Sequence, residues 1–171
     1  MRAAINEKFG GPEVLELRDV AEPHAAWGQL RVRITAAGLN PMDWMFIADN
    51  ELGRRLREAR ASRPGLALTL PAVFGHDFAG VVDEVGDGVV GFCIGDRVFG
   101  GALCRAVAEY AVVVPDEVHH TPDGVDDLTA ATLDVAARTA AAALAVIQPG
   151  GGDRVLIGGA AGGVGTFAVQ L

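Results

Sequence analysis

The clearest alternation in the chain runs from residue 29 to residue 36. Leu30, Val32, Ile34 and Ala36 fall on one side, and Gln29, Arg31, Arg33 and Thr35 on the other. A period of two predicts a strand with one face in a core and one in water. Shorter stretches at 2–6, 14–20, 97–99 and 110–114 read as further strands, and 78–85 is apolar enough to read as a more buried one. Turn residues divide them, with Gly10-Gly11-Pro12 after the first and Gly86-Asp87-Gly88 after 78–85. Many short strands separated in this way predict a mainly β unit, a barrel rather than an open sheet.

Helical signals lie elsewhere. Residues 41–47 read as a helical turn with Pro41 tolerated in its first turn, and 51–61 as an exposed helix. At Asp126 the character changes, and 126–148 reads as one long helix containing nine alanines in twenty-three residues. Asp126 and Asp127 sit at its positive dipole end, and Asp134 and Arg138 form an i,i+4 pair. Its other apolar positions run almost all round, which predicts cover on most sides. Pro149-Gly150-Gly151-Gly152 closes that helix. Residues 153–157 then read as a buried parallel-type strand, 158–165 as a glycine loop and 166–171 as the start of a helix. The expected division is therefore 1–125, a connecting helix over 126–148, and 149–171.

Composition narrows the function classes. Half of the 171 residues are hydrophobic, and the mean hydropathy of +0.30 excludes a disordered chain. The uncharged stretch from Val155 to Leu171 is too broken by glycine for a membrane span, and the first residues carry no export signal, so a cytoplasmic protein is expected. A net charge of −8 argues against nucleic acid as a partner. Lys8 is the only lysine, whereas Arg54, Arg55, Arg57, Arg60 and Arg63 crowd together, either as a solvated helix face or as a patch for an anionic ligand. Cys93 and Cys104 lack zinc-ligand spacing and read as buried or inert thiols.

The strongest chemical signal is the loop Ala160, Ala161, Gly162, Gly163, Val164 and Gly165, set between an expected strand and an expected helix. Glycines there let backbone N–H groups approach a pyrophosphate, and the helix N-terminus adds partial positive charge. A tight turn without ligand is the alternative. The fingerprint also needs a second strand and a ribose-binding residue about 20 positions on, and only six residues follow Gly165.

Several segments in order carry a family resemblance. They are Ala37-Gly38-Leu39-Asn40-Pro41-Met42-Asp43, the stretch 70–82 containing Gly75-His76-Asp77-Phe78-Ala79-Gly80, then Gly95-Asp96-Arg97-Val98, Ala108-Glu109-Tyr110 and the loop at 160–165. Together they resemble the medium-chain dehydrogenase/reductase superfamily, in its zinc-free quinone oxidoreductase (zeta-crystallin-like) branch. The resemblance implies a GroES-like β-barrel followed by the first strand, turn and helix of a Rossmann domain. It implies NADP(H) as cofactor, with NAD not excluded, a small carbonyl or quinone substrate, and no zinc. It places Asn40 and Asp43 in the cleft, Thr139 near the nicotinamide, and the 160–165 loop on the cofactor phosphates. Asn40 would donate an N–H to a developing oxyanion; the alternative for Asn40 and Asp43 is a capped turn before a short helix.

Departures are visible too. Met45 stands where the branch often has tyrosine, Arg138 replaces a small residue before the threonine, and 49–67 is longer than in compact members. Zinc alcohol dehydrogenases have cysteine where Asn40 stands, so a zinc-type relative is the weakest alternative even with His76 present. A non-catalytic GroES-like module is the other. A complete member would be roughly twice this size, as two domains. The 171 residues alone are thus expected to bind dinucleotide weakly, to lack turnover, and to associate through exposed apolar surface, with a homo-oligomer possible.

Overall fold

Two antiparallel sheets organise the first two thirds of the chain in the computed structural model, which describes residues 1–62, 68–102 and 105–171. The smaller sheet has the order β2 (Leu15–Asp19), β1 (Arg2–Asn6), β4 (Ala72–Val73). The larger runs β7 (Tyr110–Val113), β3 (Leu30–Gly38), β5 (Asp77–Val85), β6 (Arg97–Gly101), β8 (Val118–His120). β3 and β5 pair from Leu30↔Val85 to Gly38↔Asp77. The alternation read at 29–36 does its work here, because Leu30 and Val32 are fully buried with Phe78, Val82 and Val98. Each such side chain contributes about 1.5–3 kcal/mol by leaving water.

A mainly β fold follows, and its closure differs from expectation. β1 spends both edges on β2 and β4. It reaches the larger sheet through an isolated bridge at Ala3↔Ala108 and the Ala4 N–H donating to the Val107 carbonyl at 2.9 Å. Among the described residues the strands make two sheets, not one closed barrel. Pro12–Val14 forms a 3-10 turn, so the second strand starts at Leu15. β4 and β8 were not expected; at two and three residues they are too short to show a period.

Two helices fall where the pattern puts them, α1 over Pro41–Ile47 and α2 over Glu51–Ala61. Asn50 caps α2 by accepting the Gly53 N–H at 2.9 Å. The described arginines of α2 have partners within the protein, as a solvated helix face would. Arg54 pairs with Glu51 and Glu58, and Arg55 with Glu51. Arg57 donates to the Phe46 and Ala48 carbonyls at 2.8 and 2.9 Å and lies over the Phe9 ring. Arg60 lies over Phe46. Arg63 and Cys104 lie outside the described residues, and Cys93 is exposed rather than buried.

The single helix expected over 126–148 is broken. α3 spans Asp127–Ala130, a π-helical stretch covers Leu133–Ala137, and α4 runs Arg138–Ile147. Asp126 caps α3, its carboxylate accepting the Thr129 N–H at 2.8 Å. The Val135 N–H is drawn to Asp77 Oδ2 at 3.2 Å, and the helix widens there. α4 is less covered than expected, with Val146 84% exposed. It ends at Gln148, whose φ of 45° and ψ of 58° are left-handed. Residues 153–157 are not a buried strand. They pair with no strand among the described residues, and Leu156 is 96% exposed. α5 begins at Gly163, inside the expected loop, and runs to Gln170. No helix among the described residues is long and apolar enough to cross a membrane.

Candidate functional site

The site is built where β3 ends. Gly38, its last residue, lies against the Ala131 carbonyl, and a Cβ at 38 would collide with that oxygen. The chain can therefore pass tightly beneath α3 before Asn40 starts α1. Asn40 donates its backbone N–H to Asp43 Oδ2 at 2.7 Å, so the capped turn is real. Its side-chain amide points elsewhere, with Nδ2 donating to Asp77 Oδ2 at 3.0 Å. Asn40 thus joins α1 to the start of β5, and Asp77 carries the link on to Val135.

Three buried carboxyls surround this junction. Asp43, Asp77 and Asp134 are 4%, 1% and 4% exposed. Burial pushes the Asp43 carboxyl up, against the Asn40 N–H and the nearby His76. Burial pushes Asp77 up to about 6, against the bonds from Asn40 and Val135 and the charge of His76, while Asp134 repels it further. Burial works on Asp134 in the same sense, but His76 and Arg138 outweigh it and hold this carboxyl below its ordinary value. His76 Nε2 lies 3.3 Å from Asp134 Oδ2, and Arg138 NH1 donates to Asp134 Oδ1 at 2.5 Å. A Cβ at Gly101 would collide with both Asp134 Oδ2 and His76 Nε2. The bare backbone at the end of β6 makes room for the pair.

Thr139 stands one residue beyond Arg138. It is exposed, and its hydroxyl donates to the Val135 carbonyl at 2.5 Å. The glycine loop lies on the other side of the same stretch, because the position of a Cβ on Gly163 is 3.9 Å from the Ala136 methyl. Gly162 caps α5 with extended geometry, and its N–H donates to the Gly159 carbonyl at 2.9 Å. Gly165 is buried so closely on Gly159 that a side chain there would collide with that carbonyl. Ala160 and Ala161 form the exposed crown of the turn. The first-turn N–H groups of α5 have no intrahelical acceptor. A cavity of about 340 Å³ beside the loop is lined by Ala140, Leu144, Ile147, Leu156, Gly159 and Ala168.

The open N–H groups and the close Gly159–Gly165 approach fit the phosphate end of a dinucleotide. Zinc fits less well. His76, Asp77 and Asp134 gather ligand atoms within 4.8 Å of one another. Yet Asp134 already accepts from Arg138 and faces His76, and Asp77 Oδ2 accepts from Asn40 and Val135. Asn40 presents an amide N–H to this cluster. Asp77 Oδ1 and His76 Nδ1 are buried without a hydrogen-bond partner among the described residues.

Asn40 and Asp43 were read from the sequence and are brought together here. Thr139 joins them only through Val135 and Asp77. Gly101 was not read as a site residue, Asp77 entered only beside His76 in the segment Gly75-His76-Asp77, and Asp134 only as the partner of Arg138. The available signal was two aspartates inside apolar runs, Phe74 to Gly80 and Leu133 to Ala137.

Residues 26–123 match the family model for the alcohol dehydrogenase GroES-like domain. The chain belongs to that family. Its relatives place it in the quinone oxidoreductase (zeta-crystallin-like) branch of the medium-chain dehydrogenase/reductase superfamily. It is 36% identical to the quinone oxidoreductase of Homo sapiens, over 100% of this chain and 49% of that protein. The solved quinone oxidoreductase of Coxiella burnetii superposes with a TM-score of 0.85 at 35% identity, covering 99% of this chain and 52% of that one. A mycobacterial protein solved in complex with NADPH superposes at 0.82 with 30% identity, covering 99% and 49%. The GroES-like chain thus spans about half the length of the relatives it matches.

Proposed function

We propose that this GroES-like chain forms the substrate side and the first cofactor-binding segment of an NADP(H)-dependent, zinc-independent oxidoreductase reducing a quinone or enone-type carbonyl. The observation that carries the reading is the shared stretch 134–139. On one side it meets the Asn40–Asp77 junction, and on the other Ala136 faces Gly163 of the phosphate-type loop. Relatives named quinone oxidoreductase, and a neighbour solved with NADPH, support the same class. The units are 1–125 as substrate domain, 126–148 as connector and 149–171 as the opening of the dinucleotide-binding part. A cytoplasmic location belongs to this reading.

The reduced nicotinamide supplies the hydride when bound. The chain's own residues orient and shield. The loop 160–165 offers backbone N–H groups to phosphate, Thr139 presents a hydroxyl at the head of α4, and Asn40 retains a second amide hydrogen for an acceptor oxygen. Asp43 fixes the Asn40 backbone. Water delivers the proton, since Asp43, Asp77 and Asp134 all lie beneath the surface.

The test is titration of the 171-residue chain with NADPH and with NADH, followed by cofactor fluorescence and by amide NMR of 159–166. Weak binding with shifts concentrated at Gly162, Gly163 and Gly165, stronger for NADPH, and no turnover alone, is expected. Undisturbed loop amides at saturating NADPH would remove the site, and micromolar affinity would overturn the weak-binding expectation.

A further inference from the structure

Arg138 has no part in the loop, and its setting is unusual. Its side chain is 65% exposed, yet it is anchored to a carboxylate that is 4% exposed. Asp134 is fixed from behind by His76, and the pair fits only because residue 101 lacks a Cβ. Asp134 is the one protein partner of the guanidinium among the described residues. Most of its five N–H donors therefore face solvent. Arg138 is thus an outward-facing cation over a buried carboxylate, next in sequence to Thr139.

We propose that Arg138, tethered by Asp134, binds the acceptor oxygen that becomes negative on reduction. This rests on the oxidoreductase reading above. The hydride carries two electrons from the reduced dinucleotide to the conjugated acceptor. The carbonyl π pair moves onto oxygen, the guanidinium holds the resulting anion, and a solvent proton then neutralises it. A planar fork suits a delocalised enolate or phenolate better than the point charge of lysine. The preferred acceptors are thus planar conjugated carbonyls. A salt bridge that merely stiffens α4 is the opposing explanation.

Benzoate serves as a stable planar anion, with benzamide as its neutral counterpart. Binding to the 171-residue chain is read from the Arg138 side-chain NMR signal and from amide shifts around 134–139. Benzoate is expected to shift these signals, and Arg138→Gln to weaken it about tenfold or more. Arg138→Lys should recover part of the loss, and benzamide should be insensitive to either change. Asp134→Asn, which keeps the shape but loosens the tether, should fall between, with folding checked by circular dichroism. Absence of benzoate binding, or binding that survives Arg138→Gln unchanged, overturns the proposal. Adding NADPH to the parent chain separates the two readings. Loop shifts with no benzoate binding sink Arg138 alone, and Arg138-dependent benzoate binding without loop shifts sinks the cofactor reading.

Discussion

Asp77 holds the most unfavourable charge at the site, and its consequences can be signed. Its folded value of about 6 stands above the ordinary 3.8, so the folded state grips this proton more tightly than the unfolded chain does. The resulting stabilisation is complete below about pH 4 and is lost as pH rises through about 6. Asp43 acts in the same direction and Asp134 in the opposite one. Asn at position 77 would keep a carbonyl for the Asn40 amide and the Val135 N–H while removing the titration. Urea midpoints between pH 4 and 7 should fall for the parent and stay flatter for Asp77→Asn; parallel curves would show that this carboxyl does not titrate there. At this scale Asn40 and Asp43 came from the motif Ala37 to Asp43, and the capped turn they form spans only three positions. The sequence concealed the roles of His76, Asp77 and Gly101, whose partners lie 58, 58 and 33 positions away by number, at Asp134, Val135 and Asp134.

Among elements, the legible ones are those whose ends are determined locally. α1 and α2 match their expected limits since Pro41 and Asn50 mark their starts within the segments themselves. The helix over 126–148 stops at Ala130 and widens over Leu133–Ala137, where the Val135 N–H goes to Asp77, far upstream. Residues 153–157 failed for a different reason, since a strand pattern yields a strand only beside a partner. Arg57 binds the two legible helices together, donating to two carbonyls at the end of α1 and covering Phe9. Arg57→Ala should therefore cost about 1–2 kcal/mol. Chemical denaturation measures this, and a change within error would show that the ring contact and both bonds are replaced by water without loss.

For the whole molecule, the mainly β class and the match to relatives agree, whereas the covering of the last quarter does not. Val146, Leu156 and Val169 are 84%, 96% and 62% exposed, and Leu156 lines the cavity beside α4 and α5. An apolar surface of this kind favours association. Light scattering of the 171-residue chain should show mass rising with concentration, and Val146→Ser with Leu156→Ser should lower it. A concentration-independent monomer with little hydrophobic-dye binding would contradict this.

The corner at Gln148 bears on how the two ends of the molecule are aimed. A residue with a full side chain holds a left-handed turn there, a conformation costing on the order of 1 kcal/mol relative to glycine. Pro149 follows directly and narrows what Gln148 can adopt. The bearing of the glycine loop on the sheets is thus set partly by a small, standing tension in one peptide corner. Relaxing it would trade steering for ease, and the loop would wander from the Ala136 methyl it faces.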